Sequence, residues 1–329
     1  MVALPSFSKI NLGLKIGPAR PDGFHELRTI YQTLALHDLV RVEALPGAGI
    51  EIRCSDARVP LDASNTCYRI AERVLNSTGA HGKIVIEIEK RLPVQGGLGA
   101  ASSNGVATML GLERALGVEL APAEKLRIAA EVGSDLPLFL IAGTVLGVGR
   151  GEEVYALPDL PPLHVVVITP PVGVSTPAAF ARWDELYAGS ATLTGPEAAG
   201  TIGEFSAGVL AWLDANFPQA GPASGVPAFG GDRAETPLLD LVRAGIENDF
   251  ERVVFPEYPE LREVKELLLR EGAQYASLSG SGSTVYGLFP SADEAQAAAE
   301  RLKAAGQAAV ATTSLTREEY WKAMKAASV

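Results

Sequence analysis

Cysteine is nearly absent from this chain: Cys54 and Cys67 are the whole supply. Two thiols are too few for a disulfide framework and lack the spacing of a zinc site, so the expected compartment is a reducing cytoplasm. Positive charge is scarce as well, with 28 Lys and Arg against 39 Asp and Glu and a net charge of -11. Proteins that hold nucleic acid carry a basic field, so no nucleic-acid partner is expected and any phosphate must be met locally. Long apolar runs are missing too. No window reaches the ~18 apolar residues of a membrane span, and MVALPSFSKINL has no basic region followed by an apolar block, so neither a span nor a leader is expected. No internal repeat is found. The remainder, 47% hydrophobic and 20% charged over 329 residues, is enough for a sizeable core divided between two domains.

The most informative stretch is LPVQGGLGAASSNGVA, residues 92–107. An alternating run, Ile84 to Ile88, precedes it, and a periodic segment with Val106, Met109, Leu110 and Leu116 follows, so it sits at a strand-to-helix turn. Gly96, Gly97 and Gly99 let an anion approach bare amides. Ser102, Ser103 and Asn104 stand at the positive end of the helix that follows. Together these make a phosphate cradle, although a tight strand-helix connection needs glycine for steric reasons alone. No Gly-Lys-Ser/Thr follows, which excludes a Walker A loop, and Ser102 takes the place of the last glycine of a dinucleotide pattern.

Residues 2–16 alternate as a first strand, with Lys9 and Asn11 on one face beside Ser8. A lysine there is either an ordinary edge residue or part of a polar patch. Pro21-Asp22-Gly23 is a turn by its own chemistry. Phe24 and His25 after it either stack on a nucleobase and bond its edge, or cover the core and face solvent. Leu39–Leu45 and Ile50–Cys54 read as a strand pair around Pro46–Gly49. A helix over 65–75 is capped by Ser64 or Asn65, and another over 122–132 ends at Gly133. That end delivers Ser134-Asp135-Leu136-Pro137 into an apolar run, which gives the Asp135 carboxylate a fixed position.

A strand or hairpin over 143–152 leads to a domain boundary near 158–162. Beyond it come a fully apolar strand over 163–169, a helix opened by Ser175-Thr176-Pro177 and carrying Phe180, and a Gly/Ala/Pro/Ser-rich segment over 187–236. A helix over 259–270, a small-residue nest at Ser279-Gly280-Ser281-Gly282, a strand over 285–289, a helix over 292–305, a strand over 308–313 and a helix over 317–327 complete the reading. The nest is also compatible with a plain hairpin turn.

Three of these motifs together resemble the GHMP kinase superfamily of small-molecule kinases. They are Pro93-x-x-x-Gly97-Leu98-Gly99-x-x-Ser102-Ser103-Asn104, Leu278-Ser279-Gly280-Ser281-Gly282 and Ser8-Lys9-Ile10-Asn11-Leu12. With Pro21–Leu27 and Ser134–Pro137, the likeness is to the branch whose acceptor is a cytidyl-diphosphate small molecule. The resemblance implies an α+β, two-domain GHMP kinase fold. Residues 1–160 would form a ribosomal protein S5 domain 2-like domain with a left-handed βαβ crossover. Residues 161–329 would form a ferredoxin-like domain carrying the atypical insertion at 187–236, and the site would lie in the cleft between them.

The resemblance further implies ATP and Mg2+, with the γ-phosphoryl group passing to a tertiary hydroxyl of the acceptor. By position, Asp135 would be the general base and Lys9 the cation beside it. Asn11 would bond the substrate, Phe24 and Phe180 would sandwich cytosine, His25 would bond its edge, and Tyr31 would line the pocket. Asn65, Lys90, Pro93, Gly96, Gly97, Leu98, Gly99, Ala100, Ala101, Ser102, Ser103 and Asn104 would surround ATP. Ser102 or Ser103 would touch the metal, and Ser279, Gly280, Ser281 and Gly282 would form the second glycine nest.

Gln95, Ala100 and Ala101 depart from the still more glycine-rich loop of that family, and Phe24 stands where tyrosine is common. Competing readings are a homoserine-, mevalonate- or sugar-type kinase of the same superfamily, or a catalytically silent nucleotide-binding protein. The aromatic set Phe24, His25 and Phe180 argues against the former, and retention of Lys9 with Asp135 against the latter. Monomer and homodimer both remain open.

Overall fold

The computed structural model describes residues 1–187 and 247–326. The Gly/Ala/Pro-rich segment expected over 187–236 therefore lies, apart from Tyr187, outside the described residues, as does Ala327. The first sheet contains β1 (Val2–Ala19), β2 (His25–Leu45), β3 (Gly49–Cys54), β4 (Lys83–Glu89), β5 (Thr144–Val148) and β6 (Glu153–Ala156). Its order is β3-β4-β2-β5-β6, with β1 also antiparallel on β2.

The expected pairing of Leu39–Leu45 with Ile50–Cys54 is not formed. β4 enters between them, antiparallel to β2 and parallel to β3. The Pro46–Gly49 turn chemistry reports only a local reversal of the chain. Which strand fills the gap is decided by burial, and β4 brings Ile84, Ile86 and Ile88, all buried. A parallel neighbour requires a crossover, supplied by α1 (Thr66–Thr78), which buries Cys67, Ile70, Ala71 and Val74. Of the two candidate caps, Asn65 starts it: its side chain accepts a hydrogen bond from the Cys67 N–H at 2.8 Å.

α2 (Ala100–Leu116) lies across β1 and β2, and α3 (Pro122–Val132) and the short α4 (Leu138–Ile141) complete the first core. The second sheet holds β7 (His164–Ile168), β8 (Tyr275–Leu278), β9 (Val285–Phe289) and β10 (Ala309–Thr313) in the antiparallel order β10-β7-β9-β8. With it go α5 (Thr176–Tyr187), α6 (Glu251–Glu257), α7 (Pro259–Arg270) and α8 (Ala292–Ala304). α6 had no signal in the sequence because Pro256 and Pro259 read as breaks, although Val253, Val254 and Phe255 are buried.

β7 explains how the two sheets are joined. Its alternate residues Val166 and Ile168 pack on the helices of the second domain. Val165 and Val167 face the other way, with Tyr286 and Leu288, onto Ile10, Leu12, Ile30 and Leu34 of the first sheet. A strand buried on both faces is continuously apolar for this reason. The last helix, α9 (Arg317–Ala326), returns to the first core, where Tyr320 and Met324 are buried.

The seating of α2 on the sheet depends on a residue with no side chain. A Cβ at Gly111 would stand 2.8 Å from the Val42 Cγ2 atom. Helix propensity alone favours replacing a mid-helix glycine by roughly 1 kcal/mol. We nevertheless expect Gly111→Leu to lower stability by about 1–3 kcal/mol, because overpacking displaces the α2–β2 contact. The urea midpoint checks this, and an unchanged or raised midpoint contradicts it.

Candidate active site

β1 places Lys9 and Asn11 on one face, and the register sets Asn11 opposite Tyr31 of β2, so the three side chains share that face. The Lys9 ammonium donates to the Asn11 Oδ1 atom at 2.7 Å and stands 5.5 Å from the centre of the Tyr31 ring. Asn11 in turn donates to the Thr29 hydroxyl, which donates to the Gly13 carbonyl, each at 2.7 Å. The turn between α3 and α4 brings in Asp135. Its Oδ2 atom lies 3.3 Å from the Lys9 ammonium, and its Oδ1 accepts from the Tyr31 hydroxyl at 3.2 Å.

The Lys9 side chain is 4% exposed and that of Asp135 33%. The cation is thus held in the protein while the carboxylate faces an opening. Burial, reinforced by the negative charge of Asp135, holds the Tyr31 phenol well above its ordinary range, so at neutral pH it remains a donor.

The glycine loop runs past this cluster. The Lys9 N–H donates to the Leu98 carbonyl at 3.0 Å, and Gly99 caps α2. The second nest, between β8 and β9, is both hairpin turn and lock. The Ser279 hydroxyl donates to the Gly97 carbonyl at 2.9 Å, and the Thr284 N–H donates to that of Gly96 at 3.1 Å. Gly97 has φ +76°, and a Cβ there would meet the Ser279 carbonyl oxygen at 2.2 Å, so only glycine fits. Asn248 secures the far side of the nest, donating to the carbonyls of Leu278 and Gly280.

Two cavities open on either side of the loop. The first, about 340 Å³, is bordered by Asn65, Lys90, Pro93, Gly96 through Ser102, and Asn104. The second, about 250 Å³, is bordered by Lys9, Asn11, Phe24, His25, Tyr31, Asp135, Phe180 and the nest residues Gly280 and Ser281. Gly97 and Gly99 border both. Ser103 borders neither: it is 1% exposed, and its hydroxyl has no hydrogen-bond partner among the described residues. Cys67 also borders the first cavity, where burial pushes its thiol up to about 12 and keeps it neutral.

At the far end of the second cavity the aromatic residues meet in an arrangement their sequence positions do not specify. Phe180 lies flat against His25, with centroids 5.2 Å apart and planes 4° apart. The His25 Nδ1 atom is 3.1 Å from the Gly17 carbonyl, and its Nε2 atom is 3.0 Å from the Asp184 carboxylate. Phe24 is 49% exposed and carries the Arg150 guanidinium 4.8 Å above its ring.

For a metal, the described residues hold no group of three or more His, Cys, Asp and Glu side chains placed to hold an ion. Ser102, half-buried at the first cavity, offers a hydroxyl. That donor set fits a hard cation carried mainly by phosphates and water, which takes only one or two protein oxygens.

Thr29, Asp38, Arg150 and Asp184 carried no weight in the sequence. For Asp38 a signal existed: it holds the inward phase of the alternation Leu34, Leu36, Val40, Val42, where a carboxylate is anomalous. Arg150, Thr29 and Asp184 gave none, since a turn arginine, a strand threonine and an acidic helix residue are ordinary there.

The chain matches the GHMP kinases N terminal domain over residues 65–143 and the GHMP kinases C terminal model over residues 234–308. It is 36% identical over 87% of its length to the 4-diphosphocytidyl-2-C-methyl-D-erythritol kinase of Solibacter usitatus, covering 80% of that protein. The kinase of the same name from Moorella thermoacetica is 34% identical over 92% of this chain and 95% of its own. Among solved structures, a 4-(cytidine 5'-diphospho)-2C-methyl-D-erythritol kinase superposes with TM-score 0.68 at 30% identity, covering 95% of this chain and 98% of that one. The homoserine kinase of Cytophaga hutchinsonii gives 0.65 at 21% identity, covering 96% and 95%, which is a likeness of fold. The ion pair beside a doubly bordered glycine loop and these relationships agree: the chain belongs to the GHMP kinases, ATP-dependent small-molecule kinases, in the family of its 4-diphosphocytidyl-2-C-methyl-D-erythritol kinase relatives.

Proposed function

We propose that this protein phosphorylates the 2-hydroxyl group of 4-diphosphocytidyl-2-C-methyl-D-erythritol with ATP, a step of non-mevalonate isoprenoid precursor synthesis in the cytoplasm. The observation that carries this reading is the shared wall: Gly97 and Gly99 separate a cavity of nucleotide size from one holding Lys9 and Asp135. ATP lies in the first, with its triphosphate against the bare amides of the loop and the N-terminus of α2. The acceptor lies in the second, its hydroxyl at Asp135.

Phosphoryl transfer asks little covalent chemistry of a protein and much positioning and charge stabilisation. As the hydroxyl oxygen bonds to the γ-phosphorus, its proton passes to Asp135, and the bond from that phosphorus to the bridging oxygen breaks to release ADP. Lys9, anchored by Asn11, offsets charge on the transferring oxygens, and Tyr31 holds the second oxygen of the carboxylate. Mg2+ bound with the nucleotide would neutralise its β and γ oxygens, with Ser102 as the protein hydroxyl within its reach. Phe24, Phe180 and His25 form the end that receives the cytosine ring.

Purified protein should consume ATP with the cytidyl acceptor and not with homoserine or mevalonate, and turnover with mevalonate alone would replace this substrate assignment. Asp135→Asn should lower turnover by about 10²-fold or more with ATP binding nearly intact; a rate near wild type would remove Asp135 from the chemistry. Gly97→Ala should abolish most activity while the far cores stay folded, because the added methyl pushes the nest off the loop. Full activity in that variant would show that the contact is not needed.

A further inference from the structure

Asp38 takes no part in the chemistry above, yet it is fully buried and more heavily bonded than any carboxylate in the site. Its Oδ2 atom accepts from the Lys90 ammonium at 2.5 Å and from the Asn104 side-chain amide at 3.1 Å. Its Oδ1 atom accepts from the Arg91 and Leu92 backbone N–H groups, both at 2.7 Å. A buried carboxylate is tolerable only when paired and bonded in this way.

Two of the four donors come from side chains that line the first cavity, and the other two are backbone N–H groups of the segment that leads into its glycine loop. Lys90 and Asn104 border it directly. Arg91 and Leu92 begin the strand exit that becomes the loop Pro93 to Gly99. Because the Asn104 amide nitrogen is committed to Asp38, its carbonyl oxygen is the atom left over, and it is buried with no partner among the described residues. One charge thus fixes an ammonium and the root of the glycine loop on one chain segment and the polarity of an amide on another.

We propose that Asp38 is a positioning residue for the nucleotide: it clamps Lys90, the root of the glycine loop and Asn104 so that the first cavity keeps the shape that ATP requires. The proposal rests on that cavity being the nucleotide site. Replacing Asp38 by asparagine removes the charge facing Lys90 and turns one oxygen, the acceptor of two of the four bonds, into a donor, so Lys90 and the loop root lose their common anchor. The acceptor cavity, on the other side of Gly97, keeps all its own contacts.

The test compares wild type, Asp38→Asn, Lys90→Met, the double variant and Ala101→Glu, measuring both KM values, kcat, the affinity for a fluorescent ATP analogue and the thermal midpoint. Ala101 is exposed on the first turn of α2 at the same cavity. A glutamate there suits the helix dipole and repels phosphate, so lost affinity in that variant reports the cavity and not unfolding.

We expect Asp38→Asn and Lys90→Met each to raise the ATP KM about tenfold, with kcat at saturating ATP and the acceptor KM little changed, and the double variant to be no worse than Asp38→Asn. A carboxylate serving the fold alone would lower the thermal midpoint and leave this KM split absent. A folded Asp38→Asn protein with wild-type ATP KM overturns the proposal. Should that variant not fold, Lys90→Met decides, and an unchanged ATP KM there overturns it equally. Weakened analogue binding by Ala101→Glu alone overturns the clamp and keeps the cavity, whereas normal binding by all variants overturns the cavity assignment and the clamp with it.

Discussion

The contact on which the rest depends is the backbone-to-backbone approach of Gly97 and Ser279. A side-chain hydroxyl and a backbone N–H of the second domain hold two consecutive carbonyls of the glycine loop. The same loop is fastened to β1 through the Lys9 N–H and the Leu98 carbonyl. The glycine loop is therefore defined from both domains at once, and the seam between the sheets, with Val165 and Val167 against Ile10 and Leu12, backs that seating.

Two carboxylates near the loop show how burial separates tasks. Asp38 is wholly enclosed and has a donor for each lone pair it can offer, which makes it an anchor. Asp135 has one-third of its side chain open to the cleft and two donors, which leaves it capacity to accept a proton from a ligand. The lysines differ in parallel: Lys90 is held to the enclosed acid and Lys9 to the open one. Charge–charge pairing is common to both, and solvent access distinguishes them.

The same fold is shared by the homoserine kinase of Cytophaga hutchinsonii. In this chain Lys9 and Asp135 stand at one part of the second cavity, while among its aromatic residues Phe180 lies flat on His25 and the Arg150 guanidinium lies over the Phe24 ring.

Much of this was legible beforehand from local chemistry. The helix start at Ser64 or Asn65, the helix end at Gly133, the strand-loop-helix around the glycine loop and the same-face placement of Lys9 and Asn11 follow from capping chemistry and periodicity, which act over a few residues. The sequence by itself thus determined most of the elements, α6 excepted, the glycine turn and the residue types available to the chemistry. Only the tertiary structure decided that β4, not β2, pairs with β3, that Ser103 turns inward, that Phe180 lies on His25, and that Asp38 gathers four donors. Those outcomes depend on which buried surfaces compete for one another across long stretches of chain, and no local preference carries that information.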